Sequence, residues 1–160
     1  MRKTVKSMLK KGITTFVDFR EGGSEGVLLI QKALSNIPIR AIILGRIELY
    51  QSKDQIKKNI PISQSYQNKI ESLLTNCDGI GISGSNENSD SALKQLSKTK
   101  KTRAIHCAET EQSYLKSKQT TKKTEPERCM LLKPDFLVHM TYASKSDLKL
   151  VSKKIRGIVV

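Results

Sequence analysis

Thr102-Arg103-Ala104-Ile105-His106-Cys107-Ala108-Glu109-Thr110 reads as a short buried strand that ends in a histidine, with a carboxylate three residues beyond it. A second apolar run, Phe136-Leu137-Val138-His139, ends the same way, and these are the chain's two histidines. Neither run alternates cleanly between apolar and polar residues. Such runs belong to strands covered on both faces, as in a parallel sheet with helices packed on it.

Working upstream, Asp78-Gly79-Ile80-Gly81-Ile82-Ser83-Gly84-Ser85 reads as a short glycine-rich strand, and glycine there marks a close backbone approach. Asn86 to Asp90 is expected to open a helix that reaches about Lys98 on Leu93 and Leu96. Ile39 to Leu44 is an earlier strand, set off by Pro38 and closed by Gly45. Between these two strands, Tyr50 to Asn59 reads as a polar helix, Pro61 interrupts, and Ser65 to Leu74 reads as another helix. Ile13 to Phe19 is the first strand, rich in β-branched and aromatic residues. Gly22-Gly23 breaks it, and Ser24 is expected to cap a helix that continues through Lys32 to Asn36. Arg2 to Lys11 forms an opening helix on Val5, Met8 and Leu9, ended by Gly12.

Downstream, Glu111 to about Lys123 reads as a helix carrying Tyr114 and Leu115. Pro126 begins a connection, Cys129 to Leu132 reads as a helix end, and Pro134-Asp135 turns into the run that closes at His139. Ser146-Asp147 is expected to cap a helix from Leu148 to Ile155, and Gly157 to Val160 starts another strand. Strand and helix thus alternate about six times, which implies an α/β fold with a parallel sheet. No low-complexity linker divides residues 1–160, so one unit is expected.

Composition narrows the function classes. Lys and Arg total 29 against 15 acidic residues, a net charge of +14. Such an excess fits a nucleic-acid binder, because each phosphate contact releases counterions. The lysines are spread over nearly every helix, however, and no aromatic residues are interleaved for base stacking. Nucleic acid is therefore kept as the alternative partner, a small basic scaffold binding through its lysine-rich surface. No apolar stretch approaches a membrane span, and no signal peptide is evident, so no membrane is expected. Cys77, Cys107 and Cys129 are odd in number and lack a CxxC pair, which fits a reducing cytoplasm rather than a disulfide framework.

In parallel α/β folds the functional groups sit at the carboxyl ends of strands. His106 and His139 both lie there, and two neutral imidazoles from neighbouring strands can converge on one ion. They can equally be two hydrogen-bonded histidines at loop edges. Glu109 can pass a proton between water and a leaving group, or it can be an acid in the first turn of the next helix. Asp18, Arg20, Glu21, Arg46, Ser83 and Ser85 follow other strands and are either pocket groups or ordinary loop residues. Cys107 alternates away from His106 and reads as core. There is no P-loop, G-x-G-x-x-G or nucleophile elbow.

Three motifs in order, Gly12-Ile13-Thr14-Thr15, Ala104-Ile105-His106-Cys107-Ala108-Glu109-Thr110 and Lys133-Pro134-Asp135-Phe136-Leu137-Val138-His139, resemble the amidohydrolase superfamily. The branch they are most similar to is the cytosine deaminase and chlorohydrolase-like metal-dependent hydrolases. The resemblance implies a partial (β/α)8 TIM barrel of about six parallel strands with intervening helices, and one divalent metal ion, zinc or iron. It places His106 as the metal ligand of the fifth barrel strand, His139 as that of the sixth, and Glu109 as the proton shuttle. The implied reaction is deaminase-like hydrolysis of a C–N bond by metal-activated water. Its substrate would be a small nitrogen-containing amide or heterocycle.

The family's H-x-H pair of the first strand and the aspartate of the eighth are not among these residues. The chain therefore reads as a fragment from the middle of a barrel. Two histidines are fewer than the three protein ligands usual in a catalytic zinc site, so weak metal binding and little or no activity are expected of the chain alone. A complementing chain or a second copy is the implied partner.

Overall fold

A computed structural model describes residues 1–46 and 51–160. Among these residues six strands, all parallel, form one sheet in sequential order: β1 (Thr15–Arg20), β2 (Arg40–Gly45), β3 (Gly79–Ile82), β4 (Thr102–Cys107), β5 (Phe136–His139) and β6 (Gly157–Val159). Among the described residues eight helices are interspersed with them: α1 (Arg2–Lys10), α2 (Gly23–Leu34), α3 (Lys53–Lys57), α4 (Gln64–Thr75), α5 (Asp90–Leu96), α6 (Glu111–Thr121), α7 (Glu125–Cys129) and α8 (Lys145–Val151). The sheet curls into a half-barrel, the partial (β/α)8 arrangement expected, with β1 and β6 as its edges. No helix among the described residues is long and apolar enough to cross a membrane.

The core lies between the sheet and its helices. The larger cluster joins Ile80, Ile105, Cys107 and Leu137 of the strands to Leu93, Leu96, Cys129, Leu132 and Val151. A smaller one packs Val27 and Ile30 of α2 and Leu73 of α4 on Ile43 of β2. Burying each such aliphatic side chain contributes roughly 1.5–3 kcal/mol. Register is pinned at the strand entrances by two aspartates. The Asp78 carboxylate accepts from the Ile43 amide at 2.8 Å, and the Asp135 carboxylate accepts from the Arg103 amide at 3.0 Å.

Several element ends differ from expectation for local reasons. Helix α2 starts after Gly22, whose φ of 81° suits a residue without Cβ, so Ser24 lies inside the helix and does not cap it. Ser85–Glu87 forms a single 3-10 turn, and Ser89 caps the later start of α5 by accepting from the Ala92 amide. Of the polar helix expected over 50–59, only Lys53–Lys57 is helical, with Ser52 and Gln55 forming a capping box; Tyr50 lies outside the described residues. Helix α7 occupies the stretch read as a connection, and Met130–Leu132 follows it as a 3-10 turn. Helix α8 is capped by Ser144 with Asp147 as its box partner, two residues earlier than the expected Ser146.

Candidate metal centre

The site begins with strand alternation on β4. Ile105 and Cys107 pack in the larger core beneath the helices, so His106 projects from the opposite, concave face of the sheet. The thiol of Cys107 is pushed up from its ordinary pKa by a hydrogen bond with Cys129 and by burial, in keeping with an inert core cysteine. Phe19, at the end of β1, meets the His106 ring edge-on with centroids 4.8 Å apart. It reaches there by crossing Gly81 of β3, where an added Cβ would lie 2.5 Å from the ring. One glycine thus lets an aromatic ring from β1 buttress a histidine on β4.

His139 breaks the alternation of β5. Leu137 packs in the core, and His139 is in register with the buried Cys107, so a regular strand would send it to the helix side. Instead His139 and Met140 take left-handed backbone, with φ of 75° and 61°. The Met140 amide donates to the Cys107 carbonyl at 2.8 Å, and the Tyr142 amide donates to the Ala108 carbonyl at 3.0 Å. Left-handed backbone at a residue with a side chain carries strain, which the surrounding structure must hold. Its result is that His139 Nε2 lies 3.1 Å from His106 Nδ1.

Glu109 completes the cluster. Ala108 has a φ of 49°, which reverses the chain just before Glu109 and turns its Oε1 to 3.6 Å from His139 Nε2. Thr110 is the cap of α6, accepting from the Ser113 amide at 3.1 Å. The acid in the first helical turn is therefore Glu111, and Glu109 stands outside the helix. Its carboxylate is more than half exposed, while both histidines are partly covered.

These three residues bring ligand atoms within 4.8 Å of one another. Two ligands about 2.1 Å from a tetrahedral ion lie roughly 3.4 Å apart. The 3.1 Å between His106 Nδ1 and His139 Nε2 suits two imidazole nitrogens facing one divalent cation, and Glu109 Oε1 stands 3.6 Å from the second of them. His106 is held below the ordinary histidine pKa, first by burial, then by His139 and Arg46, with Glu109 opposing. That favours the neutral ring, the form that ligates metals.

Behind the cluster sits Glu125, which is buried. Its Oε2 accepts from the Ala108 amide at 3.1 Å and from the Ser113 hydroxyl at 2.7 Å. It thereby fixes the reversed turn that presents Glu109. Burial raises its carboxyl above the usual range, against the hydrogen bonds from Ser113 and Ala108. The other strand-end residues form ion pairs and hydrogen bonds beside the site. Arg20 binds Asp18 through two nitrogens, Arg46 pairs with Glu21 at 2.9 Å and Glu87 at 3.7 Å, and Ser83 donates to Glu87. Ser85 is fully buried, and its hydroxyl has no partner among the described residues.

Sequence reasoning missed Phe19 and Glu125. Thr124-x-x-Glu127 is a capping box that encloses a first-turn proline, Pro126, a legible signal for α7. Nothing local places Glu125 under Ala108, or Phe19 over Gly81, because each contact spans separate elements.

The sequence model of the amidohydrolase family matches residues 1–160. The chain belongs to the amidohydrolase family. Two relatives are similar to it across nearly all its length. One, from Methanothermobacter thermautotrophicus, bears the name "Putative aminohydrolase" and is 32% identical, aligned over 100% of this chain and 41% of its own. The other, an uncharacterized protein of Methanocaldococcus jannaschii, is 35% identical over 96% of this chain and 40% of its own. This amidohydrolase chain thus spans about two-fifths of the length of the relatives it matches. Members of the family usually depend on a metal, which accords with the grouping of His106, Glu109 and His139.

Proposed function

We propose that this chain carries part of the centre of a metal-dependent hydrolase that cleaves C–N bonds of a small nitrogen-containing amide or heterocycle, in the manner of a deaminase. The observation that carries the reading is the convergence of His106, Glu109 and His139 at the carboxyl ends of β4 and β5. His106 Nδ1 and His139 Nε2 are the atoms that would hold a divalent ion, zinc or iron. Such an ion, when bound, supplies Lewis acidity that lowers the pKa of water and polarises the bond under attack. Glu109 offers a solvent-facing carboxylate beside His139 and serves as the proton carrier between water and the leaving nitrogen. Phe19 covers one edge of His106 and keeps its ring in one orientation.

A centre with two histidines binds a divalent ion weakly, since catalytic zinc sites use three protein ligands as a rule. The remaining groups are supplied by flanking sequence, a complementing chain or a second copy. The free, buried cysteines accord with a reducing, cytoplasmic setting.

The test is zinc and ferrous titration by calorimetry, together with a screen of amides and aminated heterocycles for ammonia release. Weak saturable binding that disappears in His139→Ala, without turnover, is the expected result. Submicromolar zinc affinity with turnover would show that the chain is a complete catalyst. Absence of any zinc binding at millimolar concentration would remove the metal centre.

A further inference from the structure

Ala108 joins the two halves of the metal centre. It is fully buried and takes left-handed backbone, with a φ of 49°, although it carries a Cβ. Both of its backbone groups bond to other elements. Its amide donates to Glu125 Oε2 at 3.1 Å, and its carbonyl accepts from the Tyr142 amide at 3.0 Å. Glu109 is the next residue along the chain. Tyr142 belongs to the loop that leaves β5 just after His139 and Met140, both also left-handed. The turn that presents Glu109 and the turn that presents His139 therefore meet at one alanine. Left-handed backbone at such a residue persists only where its neighbours hold it. A buried amide without an acceptor is costly as well, so the arrangement depends on what receives the Ala108 N–H.

That acceptor, Glu125, is 3% exposed and is the first residue of α7, yet it does not cap its own helix. Thr124 and Glu127 do so. The Thr124 hydroxyl accepts from the Glu127 amide at 3.2 Å, and the Glu127 carboxylate accepts from the Thr124 amide at 2.6 Å. The Glu125 carboxyl is thereby left to the carboxyl ends of the strands. Its Oε2 takes the Ala108 amide and the Ser113 hydroxyl. Its Oε1 lies beside Gly84, just after β3, where an added Cβ would stand 3.6 Å from it. One buried side chain from α7 thus touches the chain that follows β3, the chain that follows β4 and the start of α6.

We propose that Glu125 is a positioning residue of the hydrolytic centre: by receiving the Ala108 amide it sets the Glu109 carboxylate against His139 and ties the two strand-end turns into one unit. The assignment rests on the reading of Glu109 as the proton carrier. Glu125 acts through Ala108 and is not itself a catalytic residue. A proton carrier works only within hydrogen-bond reach of the groups it serves, and a small misplacement is expensive in rate. Glu109 is more than half exposed and approaches His139 at 3.6 Å, so this contact alone does little to hold it. The turn before it must do so. Without an acceptor for its amide, Ala108 would relax toward the ordinary backbone regions, and Glu109 would turn away from His139.

The experiment reads the contact itself in the intact, metal-free chain, as nuclear Overhauser transfer between the Glu109 side-chain protons and the His139 ring. The contact is expected in the parent and in Glu125→Gln, whose amide oxygen still accepts from Ala108 and Ser113. It should be lost in Glu125→Leu, and also in Glu125→Asp, which keeps the carboxyl but withdraws it by one methylene. If Glu125→Leu does not fold, Glu125→Asp decides. Ser113→Ala removes the other bond to the same oxygen, and should lower the melting temperature while the contact stays. A contact that survives in Glu125→Asp, or that vanishes in Glu125→Gln, would overturn the proposal. So would its loss in Ser113→Ala, which would tie the place of Glu109 to overall stability rather than to the Ala108 bond. The readout needs neither metal nor turnover. Failure of zinc binding with the pattern of contacts intact would therefore remove the hydrolytic reading and leave the positioning of Glu109 standing.

Discussion

His139 is in register with Cys107, a core residue, yet its imidazole faces His106, the residue before it, nitrogen to nitrogen at 3.1 Å. Left-handed backbone at His139 and Met140 moves the side chain from one face of the sheet to the other. The carboxyl ends of β4 and β5 are thereby joined through two side chains rather than through the ladder alone.

If these nitrogens share an ion, zinc links the two strand ends and stabilises the fold by mass action. Adding zinc should raise the melting temperature of the chain, and His106→Ala or His139→Ala should abolish the rise. Glu109→Gln should keep most of it if Glu109 carries protons rather than ligating the metal. An equal loss in all three variants would make Glu109 a ligand.

Phe19 and Gly81 form a matched pair. A methyl group at position 81 would meet the Phe19 ring at 2.5 Å, too close to keep. Gly81→Ala should therefore cost about 1–3 kcal/mol through overpacking. In a Phe19→Ala background most of that cost should vanish, measured as a double-mutant cycle in urea. A cost that persists without the ring would place the conflict in the backbone.

Glu125 should make stability fall as pH rises. Its folded carboxyl titrates above the ordinary value of 4.5, mainly because it is buried. The stabilisation from this group is then complete below that ordinary value and is lost as pH rises through the higher folded value. Glu125→Gln fixes the neutral form and keeps an oxygen to accept from Ala108 and Ser113. The melting temperature of the variant relative to the parent should rise between about pH 4 and pH 8. A fall over that range would show that the ionised carboxylate is the favoured state.

Asp147 has the opposite sign. Burial tends to raise its carboxyl, but hydrogen bonds from Ser144, Thr124 and Tyr114 prevail and hold it below the ordinary 3.8. It accepts from the Tyr114 hydroxyl at 2.9 Å, the Thr124 hydroxyl at 2.7 Å and the Ser144 hydroxyl at 2.6 Å, tying α6 and the caps of α7 and α8 together. Its contribution is present above the ordinary value and is lost as pH falls through the lower folded value. Asp147→Ala should cost about 2–4 kcal/mol at neutral pH, with a smaller cost in acid. Chemical denaturation at two pH values measures both.

The sequence by itself determined the order of strands and helices, the parallel sheet and the family, together with the two histidines and the carboxylate at strand ends. Apolar runs, glycines and prolines act over a few residues, so their consequences are legible in order along the chain. Its errors were local too. Ser144-x-x-Asp147 is a capping box as plain as the Ser146 start that was expected instead. What the tertiary structure alone decided is which groups meet. Period-two alternation would send His139 toward the core, and only its packing against the end of β4 holds the left-handed turn that aims it at His106. Glu125 under Ala108, Phe19 over Gly81 and Arg128 on Asp90 likewise join elements that are distant in the chain. Such contacts arise because closing a curved sheet brings side chains together across strands, and no short window of sequence contains both partners.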